Sequence, residues 1–367
     1  MPDPLPPRSS LKLDSLQPLL DRANHALGRL DGLPTLLPDA SLFLYLYVRK
    51  EAVLSSQIEG TQSSLSDLLL FENEAVPGVP MDDVREVSNY VAAMLHGLER
   101  LKEGFPISLR LIREIHQILM RGGRGAERTP GEFRISQNWI GGTRPGNATY
   151  VPPPPDRLME SLDNFEHFLH DDGLTLPLLV QLGLVHVQFE TIHPFLDGNG
   201  RLGRLLITLL LCARGALHEP LLYLSLYFKT HRELYYQLLR RVRTESAWNE
   251  WLKFFLEGTE ATARQAADTA VELLSLFAED RKRIQALGRP ASSALRLHEL
   301  LQKRPLIKIG AAAEKLELSI PTVTAAVRHL ANLGIVREMT GRQRGRIFAY
   351  ERYLQVVSAG TEPLQAT

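Results

Sequence analysis

The stretch H-P-F-L-D-G-N-G-R-L-G-R, from His193 to Arg204, constrains this chain more than any other. It places a base, a carboxylate, two separated glycines and two arginines within one short segment. Upstream, the apolar run from Leu178 to Val187 reads as a buried helix. Downstream, Leu202, Leu205, Leu206 and Leu209 recur at helical spacing, so a second helix begins near Arg201. The loop between them opens onto a helix N-terminus, where unpaired backbone N–H groups and the positive end of the dipole favour an anion. Gly198 and Gly200 permit positive φ and close backbone approach, and Asn199 tolerates the same region. The turn can therefore fold into a nest for phosphate oxygens. Arg201 and Arg204 share a face of the first helical turn and can donate to neighbouring phosphoryl groups as bidentate partners. Asp197 offers the hard oxygen that Mg²⁺ takes when one carboxylate and substrate phosphates hold it. His193 carries the side chain whose ordinary pKa lies near neutrality, suited to taking a proton from an attacking hydroxyl. A plain glycine turn between two core helices is the simplest alternative, and it leaves His193, Asp197 and both arginines unexplained together.

These residues resemble the signature of the Fic family, H-P-F-x-D/E-G-N-G-R-x-x-R, at every defined position. The resemblance implies a mainly α fold, a Fic-type helical core with a small β-hairpin flap. It also implies a protein adenylyltransferase that moves AMP from ATP, with Mg²⁺, to a Tyr, Thr or Ser hydroxyl of a protein, itself included. By the same resemblance His193 is the base and Asp197 the metal ligand. Gly198, Asn199 and Gly200 form the nest, Arg201 and Arg204 hold the phosphates, and Leu202 and Gly203 complete the ATP-binding segment.

The chain has 367 residues, enough for two or three domains with an ample core. A single cysteine, Cys212, excludes an intrachain disulfide and fits a reducing compartment. It lies at the end of an apolar run and reads as a buried structural thiol. The leader M-P-D-P-L-P-P-R has no apolar signal region, and the run Leu205–Cys212 is too short to cross a bilayer. The expectation is a cytoplasmic protein without a membrane partner.

Residues 11–33 and Leu42 to Ile58 read as helices, the second ending in S-S-Q-I-E-G-T. Ser55 and Glu59 project from one face of it. Alone, Glu59 reads as a solvated surface carboxylate, although its charge at a helix C-terminus opposes the dipole. The Fic resemblance supplies a reason for it. The family carries an inhibitory element, S/T-x-x-x-E-G/N, whose glutamate pairs with the second signature arginine. Ser55 to Gly60 matches that element N-terminal to the signature, which implies self-inhibition by Glu59.

Residues 73–83 read as a loop, and 83–101 and 108–120 as helices. In the glycine- and proline-rich segment that follows, Trp139–Ile140 and Thr149–Val151 are two short strands by pattern, or else parts of an irregular surface loop. The resemblance makes this segment the flap that aligns a target by strand pairing, with Ile140, Gly141 and Gly142 bordering the nucleotide. His186 reads as packing, and Thr191 as a local hydrogen-bond partner. Tyr235 and Tyr236 have core spacing, while the resemblance places such a pair beside adenine. The family often has an asparagine four residues past Leu239, where this chain has Arg243.

Residues 260–287 read as another helix, and Gly288-Arg289-Pro290 as a linker. Beyond it come a helix at Leu295–Leu301, a short helix at Ile309–Leu316, a turn, and a helix Ile320–Leu333 capped by Ser319. Gly334 stops that helix, and strands at Ile335–Met339 and Arg346–Tyr350 follow. This order resembles a winged helix. From Gly288 to Tyr353 there are 12 Lys and Arg against 5 Asp and Glu. Thr322, Thr324 and Arg328 on the recognition helix and Arg342, Arg344 and Arg346 on the wing are the candidates for DNA contact. Dimerisation or protein docking is the other use of such a module.

The expected division is a helical region with the inhibitory helix at 1–100, a catalytic core at 101–258 and a connecting helix at 259–287. The winged helix follows at 288–353 and a tail at 354–367. The expected partners are a protein bearing the target hydroxyl, DNA, and a second copy of the chain. The rival readings are a DNA-binding regulator with an idle Fic domain, transfer of another phosphate-containing group, and removal of AMP from a target.

Overall fold

The computed structural model describes residues 1–7, 11–33, 41–73, 79–123, 125–171 and 173–364. Eleven helices precede the C-terminal module among these residues: α1 (Leu13–Gly32), α2 (Ser41–Ile58), α3 (Leu65–Glu72), α4 (Met81–Lys102), α5 (Leu109–Leu119), α6 (Leu158–Leu169), α7 (Leu178–Ile192), α8 (Asn199–Ala213), α9 (Ser225–Thr230), α10 (Arg232–Glu245) and α11 (Trp248–Gln285). α7 and α8 sit at the centre. From Leu182 to Ile192 every residue of α7 is buried, and so is all of α8 from Arg201 to Leu211. A helix apolar all round has no solvent face to keep and is enclosed by its neighbours. Small residues let those neighbours approach: a methyl group at Gly97 of α4 would lie 2.6 Å from Leu209, and one at Gly183 of α7 would lie 2.8 Å from Leu252. α1 runs parallel to the first half of α11, joined by Lys12–Asn249, Arg22–Glu260 and Arg29–Asp268 contacts.

Two elements lacked a clear periodic signal. α3 opens with a capping box between Ser64 and Asp67, a pattern present in the sequence but followed by only two helical turns. α6 packs Leu162 and Phe165 against α7. α11 begins at Trp248, not at 260, because Trp251, Phe254 and Phe255 bury its first turns in the core. The connecting helix expected at 259–287 is thus continuous with the catalytic part. The loop expected at 73–83 falls partly outside the described residues at 74–78, and α4 starts at Met81.

The C-terminal module comprises α12 (Ala291–Lys303), β1 (Leu306–Lys308), α13 (Ile309–Leu316), α14 (Ile320–Asn332), β2 (Val336–Glu338), β3 (Ile347–Tyr350) and α15 (Glu351–Ser358). The Ser319 hydroxyl accepts from the Thr322 N–H and caps α14, and Gly334 ends its turn at φ 68°. The three strands form one antiparallel sheet in the order β1-β3-β2, with Leu306 opposite Ala349 and Val336 opposite Tyr350. This is a winged helix with a third strand, β1, which was too short to read from pattern. The residues expected as a tail after 353 are built into the fold. Leu354 and Val357 are buried, and Thr361 is 2% exposed. The Thr361 carbonyl accepts from Gln57 of α2 at 2.8 Å, and Lys229 donates to the carbonyls of Gly360 and Glu362. Residues 365–367 of that tail lie outside the described residues.

Candidate active site

α7 ends in a strained residue. His193 adopts φ 50° and ψ 62°, and its N–H still donates to the Phe189 carbonyl at 2.9 Å. A non-glycine residue in this left-handed region costs about 1–2 kcal/mol, so surrounding contacts must hold it there. They do. Arg134, 2% exposed, donates its Nε to the His193 carbonyl at 3.0 Å and Nη2 to the Pro153 carbonyl at 2.5 Å. Asn138 donates to the carbonyls of His193 and Phe195 at 3.3 and 2.9 Å. Below the loop, His116 stacks on Phe195 with ring centroids 3.7 Å apart. Its Nδ1 accepts from the Gly131 N–H, so Nε2 carries the proton and donates to the Asp197 carbonyl at 3.0 Å. Burial pushes the His116 pKa down to about 4, in keeping with that neutral tautomer. Arg134, Asn138 and His116 were not singled out from the sequence, since each reaches the loop from a segment distant along the chain.

The nest forms where expected. Gly198 stands at φ 76° as the N-cap of α8, and no side chain caps the helix. The N–H groups of Asn199, Gly200 and Arg201 therefore have no intrahelical acceptor. The side chain of Asn199 is used otherwise: it accepts from the Phe195 N–H at 2.9 Å and donates to the Phe195 carbonyl at 2.8 Å, closing the loop. Only its backbone is left for a ligand. Asp197 accepts from the Gly198 N–H at 2.6 Å, and its carboxylate remains 45% exposed. Glu59, Glu86, His193, Asp197, Gly200 and Arg201 line one cavity of about 270 Å³.

Both signature arginines are already engaged. Arg201 pairs with Glu86 of α4 at 2.8 Å, each side chain 5% exposed, a partner that the sequence did not reveal. Arg204 donates Nε to the Ser55 hydroxyl at 2.9 Å, and Nη2 to the Ser55 carbonyl at 2.9 Å and to Glu59 at 2.7 Å. The S-x-x-x-E motif at the end of α2 thus reaches the second signature arginine with both defined side chains. A methyl group at Gly200 would stand 2.3 Å from Glu59 Oε1, so the carboxylate lies against the nest itself. Burial works against the Glu59 charge, but Arg204, and after it Arg201, outweigh burial and hold its pKa below the usual range. Burial likewise opposes the charge of Arg204, and Glu59 reverses the balance. Burial, with Arg243 next, pushes His193 down to about 3, leaving a neutral imidazole at pH 7.

Several expected site residues are placed differently. Leu202 is fully buried in the core and does not line the cavity. Gly203 packs on α7, where a methyl group would meet Glu190 at 2.7 Å, and its carbonyl accepts from His186 Nδ1. Both are packing positions, because the second half of the first α8 turn already faces inward. Tyr235 is 1% exposed and its hydroxyl meets His186 Nε2 at 2.9 Å, which makes it a core residue in this structure. Tyr236, 38% exposed, is the member of the pair that presents a ring. His186 is packing, as read, and its pKa is pushed down to about 3 by burial. Cys212 is half-buried rather than enclosed, and burial pushes its thiol up to about 12. The flap is narrower than two strands: Ile140 and Tyr150 form one antiparallel bridge pair. Gly141 and Gly142 turn it at φ 70° and 67°, and a methyl group at Gly142 would collide with the Asn147 carbonyl at 2.3 Å.

In the winged helix Arg328 is exposed, as are Arg342, Arg344 and Arg346 on the wing. Thr322 and Thr324 are half-buried, and their hydroxyls are occupied locally. Thr322 joins Ser319 in the cap at 2.8 Å, and Thr324 donates back to the Ile320 carbonyl at 2.8 Å. The two threonines are therefore poorer candidates than the arginines. Among the described residues no helix is long and apolar enough to cross a membrane.

Residues 17–99 match the Fic/DOC family N-terminal model and residues 106–211 the Fic/DOC family model, together more than half of the chain. Residues 293–337 match a winged helix-turn-helix DNA-binding model. The protein adenylyltransferase Fic of Drosophila grimshawi is 31% identical over 208 residues, covering 56% of this chain and 40% of that protein. The protein of the same name from Aedes aegypti is 34% identical over 210 residues, 56% of this chain and 39% of that one. The chain thus spans about 40% of the length of the curated relatives it matches. Among solved structures, a Fic family protein from Desulfovibrio desulfuricans G20 aligns over 94% of this chain and 98% of its own, at TM-score 0.62 and 19% identity. Fic-1 from C. elegans aligns over 72% and 75%, at TM-score 0.54 and 22% identity. At such identities these two speak for the fold alone. With the signature loop, the uncapped helix after it and both family domains in one chain, the protein belongs to the Fic/DOC family.

Proposed function

We propose that this protein is an adenylyltransferase that moves AMP from ATP to a hydroxyl of a protein, and that Glu59 restrains it. One observation carries the reading: neutral His193 and the open N–H groups of α8 line the same cavity. The phosphates of ATP would rest on the N–H groups of Asn199, Gly200 and Arg201 and on the guanidinium of Arg204. A Tyr, Thr or Ser hydroxyl of the target would attack the α-phosphorus. A new P–O bond forms to that oxygen, the bond to the bridging oxygen of pyrophosphate breaks, and His193 accepts the hydroxyl proton. The products are an AMP-bearing protein and pyrophosphate. Positioning and electrostatics account for most of such catalysis. Asp197 fits a Mg²⁺ ion, since its carboxylate is half exposed at the cavity and Mg²⁺ commonly takes one carboxylate beside phosphates and water. The ion would neutralise charge on the phosphates. The position of Tyr236 suits the edge of a base, and the Ile140–Tyr150 pair suits alignment of a target segment.

Two features support restraint by Glu59. Its carboxylate takes the Arg204 Nη2 donor, and it lies against Gly200, where a phosphate oxygen would sit. Incubation with ATP and Mg²⁺ followed by intact-mass analysis tests the reading: a gain of one AMP on the protein supports it. A gain of phosphate alone would point to a different transferred group. Release of AMP from a pre-modified protein, without any gain, would point to removal.

A second reading concerns the winged helix. The exposed Arg328, Arg342, Arg344 and Arg346, with the helix-turn-helix match, favour binding to duplex DNA. Full-length protein should then bind a duplex with affinity that falls steeply as salt rises. No binding at low salt would leave the module as a docking or dimerisation unit.

A further inference from the structure

The four last carbonyls of α7 face the catalytic loop, and by the geometry of a helix none has a donor within the helix. Each is nevertheless satisfied. Phe189 O accepts from the His193 N–H at 2.9 Å, and Glu190 O from Arg243 Nη2 at 3.0 Å. Thr191 O accepts from the Tyr150 hydroxyl at 2.9 Å, and Ile192 O from Arg134 Nη2 at 3.5 Å. Arg243 does more than close one of them. Its Nε also donates to the Thr191 hydroxyl at 3.2 Å, and its guanidinium lies 4.2 Å from the centroid of the Tyr150 ring. Tyr150 is the flap residue paired with Ile140.

From these contacts we infer that Arg243 is a positioning residue: it locks the end of α7, and hence His193, to the flap. This inference rests on the adenylyltransferase reading of the same site. Arg243 is not among the residues that line the cavity, and its hydrogen bonds go to the last turn of α7, through which it holds the backbone of His193. Three elements meet on one planar group: α10 supplies it, the last turn of α7 receives its two hydrogen bonds, and the flap covers its face. Planarity matters here, because a lysine ammonium cannot stack on Tyr150 while donating in two fixed directions. The strained φ of His193 makes the need specific. A left-handed residue relaxes once its surroundings stop over-determining it, and the imidazole moves with it. Displacement of a reacting group by about 1 Å can cost ~10²-fold in rate. The positive charge also adds to the burial and the Arg134 charge that keep His193 neutral, against Glu59 and the Glu190 carbonyl.

The test uses the full chain in the Glu59→Gly background. Arg243→Ala should lower kcat about 10- to 100-fold and leave KM for ATP within about 3-fold. Arg243→Lys should recover little of the loss, and Tyr150→Phe, which removes only the bond to Thr191 O, should show a smaller loss in kcat alone. Hydrogen exchange provides a readout that needs no activity: in Arg243→Ala the amides of 189–193 and of the flap at 138–151 should lose protection, while those of α4 and α11 keep it. A rise in KM that accounts for the whole effect would make Arg243 a nucleotide contact and overturn the inference. Unchanged protection at 189–193 and the flap would overturn it as well, whether or not AMP is transferred. If the Glu59→Gly parent transfers no AMP, the functional reading fails by itself, and the exchange result still decides whether Arg243 joins the two elements.

Discussion

Replacing Glu59 by glycine should raise auto-adenylylation about 30-fold, and the size of the effect follows from the pair it breaks. Glu59 meets Arg204 at 2.7 Å, with Arg204 1% exposed and Glu59 36% exposed. Exposed pairs are worth ~0–1 kcal/mol, whereas breaking a fully buried pair costs ~3–5 kcal/mol. Here the arginine is buried but keeps two contacts to Ser55, and the carboxylate is one-third open to water. The contact therefore falls between the limits, at about 2 kcal/mol. Since ~1.4 kcal/mol is a factor of ten, removing it shifts roughly 30-fold more of the protein toward an Arg204 free to meet phosphate. The gain should appear in kcat, with KM for ATP little changed, because the N–H groups of the nest and Arg201 are present in both forms. Pyrophosphate release and the intact mass of the protein, read together over time, measure it. Glu59→Gln, which keeps the size and loses the charge, should give a smaller rise. Arg204→Ala should give none, because it removes the phosphate clamp with the restraint. A rate equal to or below wild type in Glu59→Gly would refute the reasoning and return Glu59 to the role of a surface or water-positioning carboxylate.

His193→Ala should lower AMP transfer on the order of 10²–10⁴-fold while ATP still binds, measured by calorimetry in the Glu59→Gly background; wild-type rates would remove His193 from the chemistry. Deleting residues 359–367 should lower stability by about 1–3 kcal/mol for each buried donor left unpaired, since Gln57 and Lys229 both donate to that segment. An unchanged denaturation midpoint would show that the segment contributes nothing. Stability should also fall as pH drops below about 6.5. His116 and His298 are held down to about 4, and His186 and His193 to about 3, each first by burial, so the unfolded chain binds protons that the folded one refuses. Glu51 and Glu190, raised by burial to about 7, oppose this only between about 7 and 4.5, where the folded state holds the extra proton. The thermal midpoint should therefore decline gently to about pH 4.5 and steeply below it, and a midpoint flat from pH 7 to 4 would contradict the burial of these histidines.

The signature loop was legible because its chemistry is local. Twelve consecutive residues hold the base, the carboxylate, the nest and both arginines, and the two helices that flank them show themselves by unbroken apolar runs. The winged helix was legible for a similar reason: the Ser319 cap and the Gly334 stop act within a turn of where they stand. Ser55 and Glu59 were visible as a motif, but the sequence could not say what they touch. Only the packing of α2 beside α8 brings them to Arg204, 149 and 145 residues further along the chain. Glu86, His116, Arg134, Asn138 and Arg243 became site residues on the same terms, since a buried ion pair or a carbonyl cap depends on which distant helix ends converge. Leu202, Gly203 and Tyr235 moved the other way, because two turns of one helix can face opposite surroundings. The last segment makes the division plainest. Residues 354–367 follow the last strand that the pattern identifies and read as a tail. Yet Thr361 is buried, because the backbone carbonyls of that segment satisfy Gln57 and Lys229 from the other end of the molecule. Sequence thus determined what can happen within a turn or two of helix, where propensity and spacing act. Tertiary structure decided which charges and carbonyls meet, because a hydrogen bond between distant segments leaves no period in either one.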